Sequence, residues 1–193
     1  MTQLLFATNN SHKIKEISQV LDPSLYRIIG LKEAGIDIDV DETGSTLEEN
    51  ALLKVRALVG NGYRNIFSED TGLEVKALDG APGVNTARYA GPTRDAQKNM
   101  SLLLQNLEGK VSRSAQFRTV IALIFNEMEV LFEGIIEGEI SPIPKGNNGF
   151  GYDPIFIPKG YEHTFGELGD EIKLPISHRT RAFEKMVAFL NAL

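Results

Sequence analysis

The chain has 193 residues, 42% of them apolar and 24% charged, which suits one domain with a real core or two tightly fused lobes. Twenty lysines and arginines against 26 aspartates and glutamates leave a formal charge of −6, which argues against a broad electrostatic grip on nucleic acid or an anionic membrane, so any anionic ligand must be held locally. With no cysteine, disulfides, a thiolate nucleophile and cysteine-ligated metals are ruled out, and His12, His163 and His178 are too scattered for a zinc motif.

The longest wholly apolar run, residues 120–125, is far too short to span a bilayer, and residues 1–7 lack the basic and long apolar regions of a signal peptide. A soluble, cytoplasmic protein is expected. Residues 3–7 form an apolar run ending in Thr8, Asn9, Asn10 and Ser11, after which Ile14, Ile17, Val20 and Leu21 recur at helical spacing: strand, polar turn, helix. A second strand is predicted at Tyr26–Gly30. The acidic stretch Asp37, Asp39, Asp41, Glu42 leads to Thr46, whose spacing to Glu49 predicts a capping box for a helix bearing Leu47, Leu52, Val55, Leu58 and Val59 and closed by Asn61-Gly62. Residues 65–68 read as a buried strand running into Glu69-Asp70, and residues 73–78 as a separate strand before a turn at 80–83. Thr93 is the expected cap of a helix over about 94–107, stopped by Gly109. Residues 114–125 and 130–137 predict a long hairpin turning near Asn126. A glycine-rich loop, 146–151, precedes a short strand around 155–157, and a last helix starting at Ser177 aligns Phe183, Met186, Val187, Leu190 and Leu193 on one face. No repeat or linker separates two domains, and the order of elements predicts an α/β fold with a mixed sheet.

Four segments carry candidate chemistry. The first helix opens with His12, Lys13 and Lys15, although cations in a first turn are disfavoured by the helix dipole by roughly 0.3–1 kcal/mol each. An anion should compensate, and the free N–H groups of a strand–turn–helix corner make Thr8, Asn9, Asn10 and Lys13 a plausible phosphate cradle; an ordinary Asn or Ser cap with solvated lysines would leave the same pattern. His178, Arg179 and Arg181 repeat the anomaly behind Ser177, as a second anion-binding corner or as a solvated basic turn. Asp41-Glu42 and Glu69-Asp70, the latter expected at a strand end, suit a hard divalent cation, or are polar turns. Finally, residues 146–154 place Phe150 and Tyr152 between glycines, where an aromatic could stack on a planar ligand while Asp153 or a backbone group reads its edge; a plain hairpin loop with core aromatics is the alternative.

Taken in order, these pieces resemble the noncanonical purine nucleoside triphosphate pyrophosphatases, the inosine triphosphate pyrophosphatase or Ham1-like family, over essentially the whole chain. The likeness rests on Thr8-Asn9-Asn10-x-x-Lys13 with Glu16, Glu42-Thr43-Gly44 followed by Glu49-Asn50-Ala51, and Glu69-Asp70-Thr71-Gly72-Leu73. It continues through Gly80-Ala81-Pro82-Gly83 with Ala87-Arg88-Tyr89-Ala90-Gly91, then Gly149 to Phe156, then Ser177-His178-Arg179. The resemblance implies an elongated α/β fold, a mixed central β-sheet flanked by helices in two lobes with the active site in the cleft between them, and usually a homodimer. It implies Mg2+-dependent hydrolysis of ITP, dITP or XTP to the monophosphate and pyrophosphate. Thr8, Asn9, Asn10, Ser11, His12 and Lys13 would hold the phosphates, Glu42 and Asp70 the metal, and Asp70 would also take the proton of the attacking water. Thr71, Phe150, Gly151, Tyr152, Asp153, Lys173, His178 and Arg179 would complete the nucleotide site. Departures are Thr71 where Ser is common, Asn85-Thr86 where Tyr-Ser is common, and Ile172, Leu174 and Pro175 around Lys173. A donor from the backbone of residues 150–153 or from the His178-Arg179 turn would pair with the 6-oxygen that ITP and XTP share and ATP lacks. A broad nucleotide or inorganic pyrophosphatase, and a non-catalytic nucleotide sensor, are the competing readings.

Overall fold

Three of the strands expected from short apolar runs fall close to where periodicity puts them. The structure, a computed structural model, describes residues 2–60 and 62–193, the side chain of Val20 excepted; Asn61, expected to help close the second helix, lies outside them. Strand β1 is Thr2–Phe6, helix α1 Ser11–Val20 and strand β2 Tyr26–Gly30, parallel to β1 with Leu4 opposite Ile28. Helix α2, Leu47–Arg56, starts at Thr46, whose hydroxyl accepts from the Glu49 N–H. The Glu49 carboxylate reaches back to the Thr46 N–H and, one residue further, accepts from the Ser45 N–H at 2.6 Å and its hydroxyl at 2.9 Å. Val59, expected on the buried face, lies beyond the end of α2 and is 60% exposed.

The largest departure is β3, Asn65–Val75, a single eleven-residue strand where two short ones are expected. Glu69 and Asp70 sit inside it rather than at a strand end, because cations meet them on either side. Strand β4 is Pro82–Gly83, antiparallel to β3. Helix α3 is Ala96–Asn106 and is capped by Asp95, not Thr93: Arg94 has φ +53°, a left-handed conformation that cannot lie within a helix. Strands β5, Ser114–Phe125, and β6, Met128–Ile140, form the hairpin, with β6 extending beyond both expected ends. Its two-residue turn, Asn126-Glu127, has φ +47° and +69°, the pair of positive values that matches the twist of the flanking strands. Strand β7 is Phe156–Pro158. Helices α4, Phe165–Leu168, and α5, Asp170–Ile176, were not expected; α6 is His178–Asn191, and Leu193 beyond it is exposed.

The strands form one mixed sheet in the order β2-β1-β3-β5-β6-β7, with β4 beside β3, and helices flank it. The chain divides into two compact units, residues 1–70, 119–134 and 179–193, and residues 71–118 and 135–178. The first has a core of Leu4, Phe6, Ile17, Phe67, Ile121, Leu123, Phe183 and Met186, in which Phe6 and Phe67 stack at 4.3 Å. The second packs Leu73, Leu103, Phe117, Ile140, Tyr152, Phe156 and Phe165. Among the described residues, no helix is long and apolar enough to cross a membrane.

Candidate active site

Alternation along β3 sends Glu69 and Asp70 to opposite faces. On the face shared with Phe67, Glu69 meets both basic helix starts. Lys13 Nζ, in the first turn of α1, lies 2.9 Å from one of its oxygens, and the guanidinium Nε of Arg179, in the first turn of α6, donates to both at 3.0 and 2.8 Å. Arg179 also donates to Glu16 of α1. The anion that the two helix starts call for is therefore supplied by the protein. Burial alone would raise the Glu69 carboxyl, but Arg179 and Lys13 more than reverse this and hold it far below the usual carboxylate range. Burial likewise opposes the Arg179 charge, and Glu69 and Glu16 outweigh it.

Several backbone donors of the β1–α1 turn are met locally. Asn10 caps α1, its side-chain oxygen accepting from the N–H groups of His12 at 3.0 Å and Lys13 at 3.3 Å, while the Asn10 N–H donates to the Thr8 hydroxyl. Asn9, Asn10, Ser11 and His12 are exposed, and the Lys13 side chain remains 17% exposed beside its carboxylate.

On the other face of β3 stands a residue that sequence reasoning missed. Lys54 of α2 donates to Asp70 Oδ1 at 3.0 Å, to Glu42 Oε1 at 2.9 Å and to the Glu69 carbonyl at 2.8 Å. One turn earlier on α2, buried Asn50 accepts from the Gly44 N–H at 2.8 Å and donates to Asp70 Oδ2 at 3.4 Å. A Cβ at Gly44 would stand 2.7 Å from the Asn50 oxygen, so this approach needs glycine. The four-residue spacing of Asn50 and Lys54 beside buried Leu47 and Ala51 was the available signal, since both must then lie toward the sheet. Burial pushes the Asp70 carboxyl up, and it remains raised although Lys54 and Lys13 pull it down. Lys54 is the converse: burial works against its charge, and Asp70 and Glu42 leave it raised.

In the second unit, Asp153 is buried and engaged on one carboxylate oxygen. Its Oδ2 accepts from the Phe150 N–H at 2.7 Å and from Lys173 Nζ at 2.7 Å, with both side chains of the ion pair almost fully buried. Gly149, with φ +74°, gives room for that carboxylate. Lys173, carried by the unforeseen helix α5, places its ammonium 4.9 Å from the centre of the Phe150 ring and 5.8 Å from that of Phe165. Phe150 is half-buried, whereas Tyr152 belongs to the core and donates its hydroxyl to the Thr86 carbonyl at 2.8 Å. The Thr86 hydroxyl accepts from the Leu73 N–H and donates to the Gly83 carbonyl. Gly151, with φ +64°, turns the chain between the two aromatics. The ring of buried His178 stacks on Phe117 at 4.7 Å and 14°. Thr71 follows Asp70 in β3 and is half-buried.

A mixed α/β sheet whose central strand sets adjacent carboxylates against buried cations defines a protein of hard-oxygen and ammonium chemistry. The chain belongs to the Ham1 family, whose model matches residues 4–189. A dITP/XTP pyrophosphatase of Porphyromonas gingivalis is 48% identical over 191 residues, covering 98% of either chain, and one of Bacillus subtilis is 40% identical, covering 100% of this chain and 98% of its own. Among solved structures, a HAM1 protein from Coxiella burnetii superposes with a TM-score of 0.91 at 37% identity over 100% of both chains, and the Staphylococcus aureus Ham1 protein with 0.89 at 40% identity over 99% of both.

Proposed function

We propose that this chain hydrolyses noncanonical purine nucleoside triphosphates, dITP, ITP and XTP, to the monophosphate and pyrophosphate, and so clears deaminated purines from the nucleotide pool. Family membership and relatives named dITP/XTP pyrophosphatase support the substrate class. The observation that carries the chemistry is Asp70: a carboxylate whose affinity for a proton is raised by burial, held at both oxygens by Asn50 and Lys54. A carboxylate so placed takes the proton of an attacking water, while Lys54 offsets the negative charge that develops on the phosphoryl oxygens. No protein nucleophile is needed.

Glu42 and Asp70 fit Mg2+, since both aim a carboxylate oxygen at one cation, Lys54, and hard cations are taken by one or two carboxylates together with substrate phosphates. When bound, the metal would neutralise phosphate charge and polarise the phosphoryl oxygens. Lys13 and the exposed β1–α1 turn serve the phosphates, and Arg179, engaged by two carboxylates, holds Glu69 and Glu16 in place. Phe150, with Lys173 over its ring, offers a purine its other face. The Phe150 N–H is already given to Asp153, which leaves Gly151, Tyr152 and His178 as the candidate readers of the 6-oxygen.

The test is a panel of nucleoside triphosphates with Mg2+, with pyrophosphate and orthophosphate measured separately. Pyrophosphate from dITP and XTP, with ATP turned over far more slowly, is the expected result. Comparable rates for ATP would favour a general pyrophosphatase, and binding without turnover a sensor.

A further inference from the structure

We infer that Lys54 is a placeholder cation that keeps a divalent metal off Glu42 and Asp70 until an anionic substrate arrives. The inference rests on the function proposed above, because it takes those two carboxylates as the metal's ligands. An ammonium has three donors, and all three are met here: Glu42 Oε1, Asp70 Oδ1 and the Glu69 carbonyl lie 2.9, 3.0 and 2.8 Å from Nζ. The carboxylate oxygens that a metal would use are thus already bound to a positive charge, on a side chain only 12% exposed. That charge is anchored from α2, whose Asn50 holds the other oxygen of the same aspartate.

Charge counting gives the consequence. With the ammonium in place the two carboxylates leave one net negative charge, too little to hold a doubly charged, reluctantly dehydrated ion beside the lysine. A polyphosphate brings several negative charges and its own oxygens, enough to seat the metal while the ammonium gives up one or both carboxylates. The chain then binds metal with its substrate rather than before it.

Mn2+, whose EPR signal is lost on binding, is the probe, and the substrate-like ligand is a dITP analogue with an imido bridge between the α and β phosphates. Without nucleotide, wild type should bind Mn2+ weakly, Lys54→Met at least tenfold more tightly, and Lys54→Arg, which keeps the charge, near wild type. With the analogue present, Mn2+ bound beyond what the analogue alone takes up should show a wild-type affinity raised by at least the same factor. Lys54→Met binding no tighter than wild type, or wild type binding Mn2+ no better with the analogue once the analogue's own uptake is subtracted, overturns the inference. Should Lys54→Met fail to fold, Lys54→Gln replaces it, and the wild-type comparison stands in either case. Loss of the proposed function itself would show separately, as no dITP turnover by wild type, with the metal-only comparison of the variants still deciding the role of Lys54.

Discussion

Glu69 and Asp70 are neighbours in one strand, both buried, yet the protein drives their proton affinities in opposite directions. Glu69 faces a guanidinium bonded to both its oxygens and a second cation, Lys13. Asp70 is bonded to one ammonium that it shares with Glu42 and a carbonyl, feels Lys13 only at longer range, and has the like charge of Glu42 beside it. Burial raises any carboxyl; the number of undivided cations decides the sign. The over-compensated site ties α1, β3 and α6 together, and the under-compensated one keeps a reactive base.

Breaking the first member of the pair should have the largest effect. Glu69→Gln leaves Arg179 buried with one carboxylate fewer and should cost about 3–5 kcal/mol in urea unfolding; a loss under about 1 kcal/mol, the scale of an exposed pair, would remove it from the structural role. The pH dependence follows with a definite sign. Because the Glu69 carboxyl is held below its unfolded value of 4.5, its contribution is complete above that pH and drains away as pH falls below it. Wild type should therefore lose its advantage over Glu69→Gln as the solution is acidified.

On the other face, Glu42→Gln should raise the Mg2+ concentration for half-maximal dITP turnover by roughly an order of magnitude, since affinity for a hard cation follows ligand charge. An unchanged titration would take Glu42 out of the metal site. Thr46→Ala removes the cap of the helix that presents Asn50 and Lys54, and should cost about 1 kcal/mol in thermal unfolding. Smallest is the effect of Asp70→Asn on stability, and its sign is opposite to that of Glu69→Gln. The Asp70 carboxyl is raised above its unfolded value of 3.8, so its ionised form opposes folding at neutral pH. Asp70→Asn should be equally or more stable at pH 7, with any gain disappearing as pH falls through the raised value.

The contrast also explains what could be read in advance. β1 and β2 are five-residue strands expected within one residue of where they lie, and the Asn126 turn and the Thr46 cap declare themselves through local chemistry. β3 was hidden because a Glu-Asp pair inside a strand is unfavourable until Lys13, Arg179 and Lys54 are brought to it from residues far apart in sequence. α4 and α5 are short, divided by Gly169 and interrupted by Pro175, so that periodicity has nothing to count. For the site, the anomaly of two basic helix starts was legible, and its resolution in Glu69 and Glu16 was not. A single lysine on a helix, Lys54, reads as a solvated charge until the fold sets two carboxylates around it.

The most direct test of this division of labour is dITP turnover per folded molecule by Asp70→Asn beside Glu69→Gln, with pyrophosphate as the measured product. Asp70→Asn, still folded, should lose roughly 10^3-fold or more in kcat, because the amide can neither accept the proton nor serve as an anionic ligand, while folded Glu69→Gln should retain the larger share of its turnover. Near-normal pyrophosphate release by Asp70→Asn would contradict the account.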